Sequence, residues 1–422
     1  MNSPAGPLKA WTTVVLVFLF MLINFADKAV MGLASVPIMG DLRLSHEQFG
    51  LLGSAFFLLF SLSGVAVGFL ANRIGTKPLM LMMAIVWACA LLLPSVAATF
   101  QALLLSRVIL GAAEGPAFPV AMHCVYKWFA DQRRALPTSV VASGAAFGGG
   151  LIAPLITWII THRGWHAAFA ILGVAGLVWA VSWALLAREG PLVVGAAAGT
   201  GGGPAAPIPY RRLLSSRTAL GVFIGGFAAY WIIALNLVWL ANYLVKVVRL
   251  PPEQAAWVIT LPSIVQMVLA PACAQLSQIL TRRGWSSRIS RGWLGSLCVI
   301  LGGVSLASVP FANDRIVAIA CIGLGFSIGS VMFTLGTTLI GEISPTPQRG
   351  AMLGMTNSIH TLAGLCAPFV MGLLVDVNSD PVAGFRAGYL YAGILVAVLG
   401  AVAAVLIDPE ADLRNFQANR HS

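Results

Sequence analysis

Twelve apolar stretches follow one another along the chain, at residues 11–36, 49–70, 78–98, 101–122, 138–160, 167–187, 219–245, 254–280, 293–309, 316–339, 350–375 and 385–407. The segments between them carry most of the charge. At about 1.5 Å of rise per helical residue, about 20 residues cross the ~30 Å hydrocarbon layer of a bilayer. Lipid offers backbone N–H and C=O groups no partner, so each stretch must satisfy them internally as a helix. The period-two alternation that a barrel needs is absent. The pattern predicts an all-α membrane protein with about 12 transmembrane helices.

One connection is long. Residues 188–217 contain a Gly-, Ala- and Pro-rich stretch at 190–209 that cannot build a core, which marks a flexible linker between two sets of six spans. Short repeats support the division: Glu47-Gln48 precedes the second span and Glu253-Gln254 the eighth. Likewise Gln132-Arg133-x-Ala135 precedes the fifth span and Gln348-Arg349-x-Ala351 the eleventh. Two pairs at equivalent places argue for a parallel internal duplication. The expected organisation is a six-helix bundle at 1–187, a linker at 188–217, a second six-helix bundle at 218–407 and a tail at 408–422.

Alternate connections hold 17 and 6 Lys and Arg residues. The richer side belongs in the cytoplasm, and both termini with it. Lys9 and the apolar run behind it resemble a signal peptide. That run continues through Asp27 to Ala34 without a small-residue cleavage pattern, so it reads as a retained first span.

Composition excludes other classes. With 59% hydrophobic and 9% charged residues and a mean hydropathy of +0.89, the chain is no soluble enzyme. The net charge of +11 comes from basic loops, and no interleaving of basic and aromatic residues suggests nucleic acid. The six cysteines show neither metal nor disulfide spacing, and the glycine clusters sit inside spans, so no metal or phosphate-bearing cofactor is expected. No nucleophile–base pair for an intramembrane enzyme is evident.

Once connections and span ends are accounted for, four charges remain within spans: Asp27, Lys28, Arg107 and Glu114. Each costs roughly 2.5–3.5 kcal/mol at the centre of an isolated span, so they must face one another or a polar cavity. Arg107 and Glu114, seven residues apart, share one face of the fourth span; Asp27 and Lys28 point about 100° apart on the first. A buried carboxylate beside a cation that an anionic substrate can engage is a proton-coupling device. The alternative is a charge-compensated quartet that only pins the first span to the fourth.

The stretch Asn24-Phe25-Ala26-Asp27-Lys28 resembles the first-span Asn-Tyr-x-Asp-Arg motif of the anion:cation symporters, a branch of the major facilitator superfamily that includes galactonate and vesicular glutamate transporters. Arg107-x-x-x-Gly111-x-x-Glu114-Gly115-Pro116-x-Phe118-Pro119 is similar to that family's fourth span. The resemblance implies that Lys28 and Arg107 attend a substrate carboxylate and that Asp27 and Glu114 carry protons. Lys28 departs from the family's arginine, exchanging a planar fork for a point charge. The stretch 68–77, with Asn72, Arg73 and Lys77, resembles the superfamily's gating motif, but Asn72 stands where an aspartate is usual. The connection at 275–284 also lacks an acid, so closure at this side is expected to rely on hydrogen bonds more than on ion pairs.

Polar stripes complete the picture. Gly350, Gly354, Asn357, Thr361 and Gly364 share one face of the eleventh span. Close helix packing accounts for the glycines; Asn357 is a candidate ligand residue or an interhelical hydrogen-bonding group. His360, on part of that face, is a packing residue or a secondary proton carrier. Asn236, Trp239 and Tyr243 align on the seventh span, and with Tyr230 and Gln266 they could offer neutral hydrogen bonds to an anion. Interfacial anchoring is the other reading of Trp239 and Tyr243. Ser143, Gly144 and Gly148 line the fifth span, where Gly148-Gly149-Gly150 before Pro154 also suits a bend.

The expected function is proton-coupled symport of a small organic anion, a sugar acid or related monocarboxylate, by a monomer in a bacterial inner membrane. Proton-driven export of hydrophobic cations is the first rival, and Lys28 and Arg107 argue against it by repulsion. A transporter-like sensor is the second, and no signalling domain is evident.

Overall fold

The structure, a computed structural model, describes residues 7–129, 133–191, 208–312 and 314–418, with the side chains of 7, 65–73, 135 and 346 undescribed. Among the described residues there are helices and connections and no strand. The first half holds α1 (Pro7–Leu33), α2 (Ser35–Leu42), α3 (His46–Ile74), α4 (Thr76–Val96), α5 (Phe100–Glu114), α6 (Ala117–Tyr126), α7 (Ala135–Ala146), α8 (Ala153–Arg163) and α9 (Trp165–Leu186). The second holds α10 (Tyr210–Leu214), α11 (Arg217–Lys246), α12 (Pro252–Arg282), α13 (Leu294–Ser308), α14 (Arg315–Gly325), α15 (Val331–Ile343), α16 (Arg349–Val377), α17 (Pro381–Leu406) and α18 (Pro409–Ala418).

Among the described residues ten helices are long and apolar enough to cross a membrane, and the bent pair made by α7 and α8 raises this to 11. The 29-residue α3 occupies the place of the remaining expected span. Local chemistry sets the ends. Ser45 and Gln48 form a reciprocal capping box at the start of α3, Thr99 caps α5, and Asp314 and Asp380 cap α14 and α17. Proline and glycine break spans without ending them: Gly115-Pro116 separates α5 from α6, and a π-helical turn at Phe147–Leu151 precedes a 41° bend. That turn contains the Gly148-Gly149-Gly150 run expected to bend.

The chain forms two compact units: Met1–Gly201 with Leu237–Val245 and Leu250–Thr260, and Gly202–Asn236 with Lys246–Arg249 and Leu261–Ser422. The division therefore does not follow the expected sequence boundary throughout, because segments of α11 and α12 cluster with the first unit. In the first unit Phe20 packs between Trp87 and Trp179, with ring centroids 4.7 and 4.9 Å away. In the second, α13 and α17 approach so closely that a Cβ on Gly303 would lie 2.5 Å from Ala397 N. Backbone-to-backbone approach of this kind is how helices associate where lipid removes the hydrophobic drive.

Two similar hydrogen bonds occur where the sequence repeats Gln-Arg-x-Ala. Arg134 Nε bonds Phe129 O and Arg349 Nε bonds Ser344 O, each five residues back at the start of α7 and α16. The expected tail at 408–422 is in part the helix α18, and Asp412 there accepts from the N–H groups of Arg217 and Thr218 at the start of α11. The linker is anchored at its ends, for Ile208 exchanges two hydrogen bonds with Gln348; its residues 192–207 lie outside the described residues.

Candidate functional site

The four intramembrane charges lie in the first unit and are buried, with Asp27 1%, Lys28 6%, Arg107 3% and Glu114 1% exposed. Two glycines of the fourth-span motif make their setting possible. A Cβ on Gly111 would lie 1.8 Å from Phe56 O, and one on Gly115 2.1 Å from Phe60 O, so only glycine lets α5 close on α3. This contact brings the rings of α3 to the charges of α5.

Lys28 looks toward the fourth span. Its Nζ lies 2.9 Å from Glu114 Oε2 and donates to Asn24 Oδ1 at 2.5 Å and Asn24 O at 3.3 Å. Phe25, Phe60 and Phe56 surround the ammonium at 4.4, 5.5 and 5.8 Å. The Arg107 guanidinium stands over Phe56 at 4.6 Å, so one ring serves both cations. Beyond the Lys28–Glu114 ion pair, Arg107 Nε and Nη1, Asn24 Nδ2 and the carboxylate oxygens of Asp27 and Glu114 are buried without a hydrogen-bond partner. Asp27 lies within electrostatic reach of Glu114, Lys28 and Arg107. Buried polar atoms left this way cost free energy that the fold must supply, and they mark where a ligand or proton would fit.

The sequence reading treated Lys28 and Arg107 alike as anion-binding groups. The structure distinguishes them, because Lys28 is already engaged by Glu114 and Asn24 while Arg107 Nε and Nη1 have no hydrogen-bond partner.

Of the neutral candidates, Tyr230 and Asn236 on α11 are half-buried, and Gln266 on α12 and Asn357 on α16 are exposed. Tyr230 packs edge-on against Phe333 at 6.1 Å. Tyr243 is buried, as is Trp239, whose ring meets Phe49 at 5.4 Å; Trp239 is therefore an internal packing residue and not an interfacial anchor. The packing account needs correction at two of the three glycines of the α16 stripe, since a Cβ on Gly350 or Gly354 would meet nothing within 4 Å, whereas Gly364 is buried. That face is open at Gly354 and Asn357. His360 is satisfied: its Nε2 lies 3.1 Å from Val222 O and ties α16 to α11.

In the gating stretch the backbone of Asn72 and Arg73 continues α3, and their side chains lie outside the described residues. The acid that this stretch lacks arrives from another part of the chain. Glu189, just beyond α9, accepts from Thr76 N, Thr76 Oγ1 and Lys77 N at 2.9, 3.0 and 3.0 Å and pairs with Lys127. Lys77 Nζ in turn donates to Ala184 O at 3.0 Å. Partial burial alone would raise the Glu189 carboxyl, but the bonds from Lys127, Thr76 and Lys77 outweigh it and hold it down at about 2. The second unit repeats the device: Glu410, beyond α17, accepts from Ser287 N and Arg288 N, while Arg288 pairs with Asp408 at 2.9 Å and Arg291 with Glu342 at 2.5 Å. Hydrogen bonds and ion pairs together hold this end of each unit. Spacing along the sequence could not show it, because the partners are far apart.

Spanning helices around a buried, charge-bearing site define a secondary membrane transporter. The chain belongs to the Major Facilitator Superfamily, which it matches over residues 16–329 and 284–421, and it is a transporter and not an enzyme. It is 25% identical to the D-galactonate transporter of Escherichia coli O6:H1, over 96% of this chain and 97% of that one. It is 26% identical to a probable sulfoacetate transporter of Cupriavidus necator, over 93% of this chain and 92% of the other. In fold it is similar to a bacterial homologue of the human lysosomal transporter Spinster, with a TM-score of 0.79 and 18% identity over 97% of this chain and 99% of that one.

Proposed function

We propose that the protein is a proton-coupled symporter that takes up a small organic carboxylate across a bacterial inner membrane. The observation that carries this reading is that the Arg107 guanidinium keeps buried donors, Nε and Nη1, without a partner beside the buried Asp27 carboxylate. A guanidinium offers an anion several donors from one planar group, which a lysine ammonium does not. A proton on Asp27 gives that group a donor for the neighbouring Glu114 and removes one negative charge as the anion enters. Lys28, held by Glu114, keeps the remaining acid compensated. Asn357, Gln266, Tyr230, Asn236 and Tyr243 are assigned neutral hydrogen bonds to the substrate, and Asn72, Arg73 and Lys77 are assigned to gating. The names of the relatives, which include transporters of galactonate, galactarate or glucarate, hexuronate and sulfoacetate, agree in being anions.

Uptake into proteoliposomes under an inward proton gradient tests the reading. Asp27→Asn is expected to abolish accumulation while sparing counterflow. Normal accumulation by both Asp27→Asn and Glu114→Gln would remove the coupling assignment.

A further inference from the structure

We propose that the hydroxyl of Thr260 is a releasable latch that fastens α12 to the turn packed against the charged site, so that the packing of the site sets how firmly α12 is held. The π-helical turn Phe147–Leu151 rests on α1, where a Cβ on Gly148 would lie 2.0 Å from Leu22 O and one on Gly149 3.5 Å from Phe25 Cδ1. The Phe25 ring in turn lies 4.4 Å from Lys28 Nζ. Pro154 stands four residues after Gly150 and has no N–H, so it cannot give Gly150 O the bond that a regular helix would make there. Thr260 Oγ1 donates to that carbonyl at 3.1 Å, from a residue 2% exposed. Contacts therefore run from Lys28 through Phe25, Gly149 and Gly150 to α12, all within the first unit.

The same oxygen lies 3.0 Å from Ala256 O, one turn back on α12. A hydroxyl has one proton for these two acceptors, so it can leave Gly150 and stay satisfied within its own helix. A contact that is broken and remade as a transporter changes state needs this property, since a donor orphaned away from water costs free energy. Thr260 is also the last residue of α12 that clusters with the first unit. Pro262, two residues on and inside the helix, withholds the N–H that Val258 O would otherwise receive. A helix yields most readily at such a proline, which sets a flexible point of α12 beside the latch.

Amide hydrogen exchange of the purified full-length protein, read at residues 252–262 by mass spectrometry, tests the proposal. Thr260→Val keeps the side-chain shape and removes the hydroxyl, and is expected to speed exchange there by about two- to tenfold, the worth of one hydrogen bond in a local opening. Thr260→Ser keeps a hydroxyl and should exchange as the parent does. Phe25→Ala, which removes the ring against Gly149, should speed the same segment, and adding Thr260→Val to it should bring less than the product of the two separate effects. The helix α13 reports the fold elsewhere and should exchange alike in every variant. Parental exchange in Thr260→Val, or an equal rise in α13, would overturn the latch. An unchanged segment in Phe25→Ala, or fully independent effects in the double variant, would overturn its dependence on the charged site.

Discussion

Lys28 Nζ lies 2.9 Å from Glu114 Oε2, with both side chains almost wholly removed from solvent. Removing one partner of such a pair leaves a buried charge alone, at a cost of about 3–5 kcal/mol. Glu114→Gln is therefore expected to destabilise the protein by about 3 kcal/mol, and Lys28→Met in the same chain to recover much of that. Neither variant should transport. Thermal unfolding of the single and double variants measures the coupling; simply additive losses would show that the pair is not one unit.

Gly111 and Gly354 make opposite predictions from the same substitution. Gly111→Ala places a methyl group 1.8 Å from Phe56 O, so α5 must move off α3, and both the melting temperature and uptake should fall sharply. Gly354→Ala meets nothing within 4 Å and should be neutral or stabilising by up to about 1 kcal/mol, from the lower helix propensity of glycine. Melting temperatures of the two purified variants decide this.

His360 and Gly226 should compensate one another. A Cβ on Gly226 would lie 2.0 Å from His360 Nε2, so Gly226→Ala is expected to lose stability that His360→Ala then restores in part. His360 Nε2 must carry a proton to donate to Val222 O, so this histidine is expected to hold α16 against α11. His360→Asn should leave the pH profile of uptake unchanged while lowering the melting temperature, as uptake rates across a pH series and a melting curve would record.

Glu189 should stabilise the fold at neutral pH and lose that effect in the acid range. Its carboxyl is shifted from the ordinary 4.5 to about 2, so it binds fewer protons in the folded state than in the unfolded. The stability this contributes is complete above about pH 4.5 and is lost as pH falls toward 2. Half-exposure and salt screening keep the effect small. Glu189→Gln should melt below the parent protein at pH 7, with the gap closing in the acid range, as melting curves taken at successive pH values would show.

Much of the fold was legible in the sequence because a bilayer imposes a single rule on every span. Twenty apolar residues must be a helix whatever surrounds them, so the all-helical membrane fold could be read directly. The four site charges were legible for the same reason: charge is so costly in lipid that its few occurrences stand out. The rings around the charges were not. Phe56 and Phe60 look in sequence like any other apolar residues of a span, and it is the approach of α3 to α5, permitted by Gly111 and Gly115, that brings them to the charges.

The face of α16 shows the limit from the other side. Helical spacing placed Gly350, Gly354 and Asn357 together, but not whether a neighbour covers them, and Gly350 and Gly354 prove open. Glu189 and Glu410 were passed over as connection charges, since nothing local marks them as partners of helix starts far away in the chain. What lies along one helix follows from chain chemistry and solvent: span, polarity, caps and the positions of the charges. Which cation is taken by an acid, which stays free and what surrounds them arise from contacts between helices, and those depend on how closely two backbones can approach.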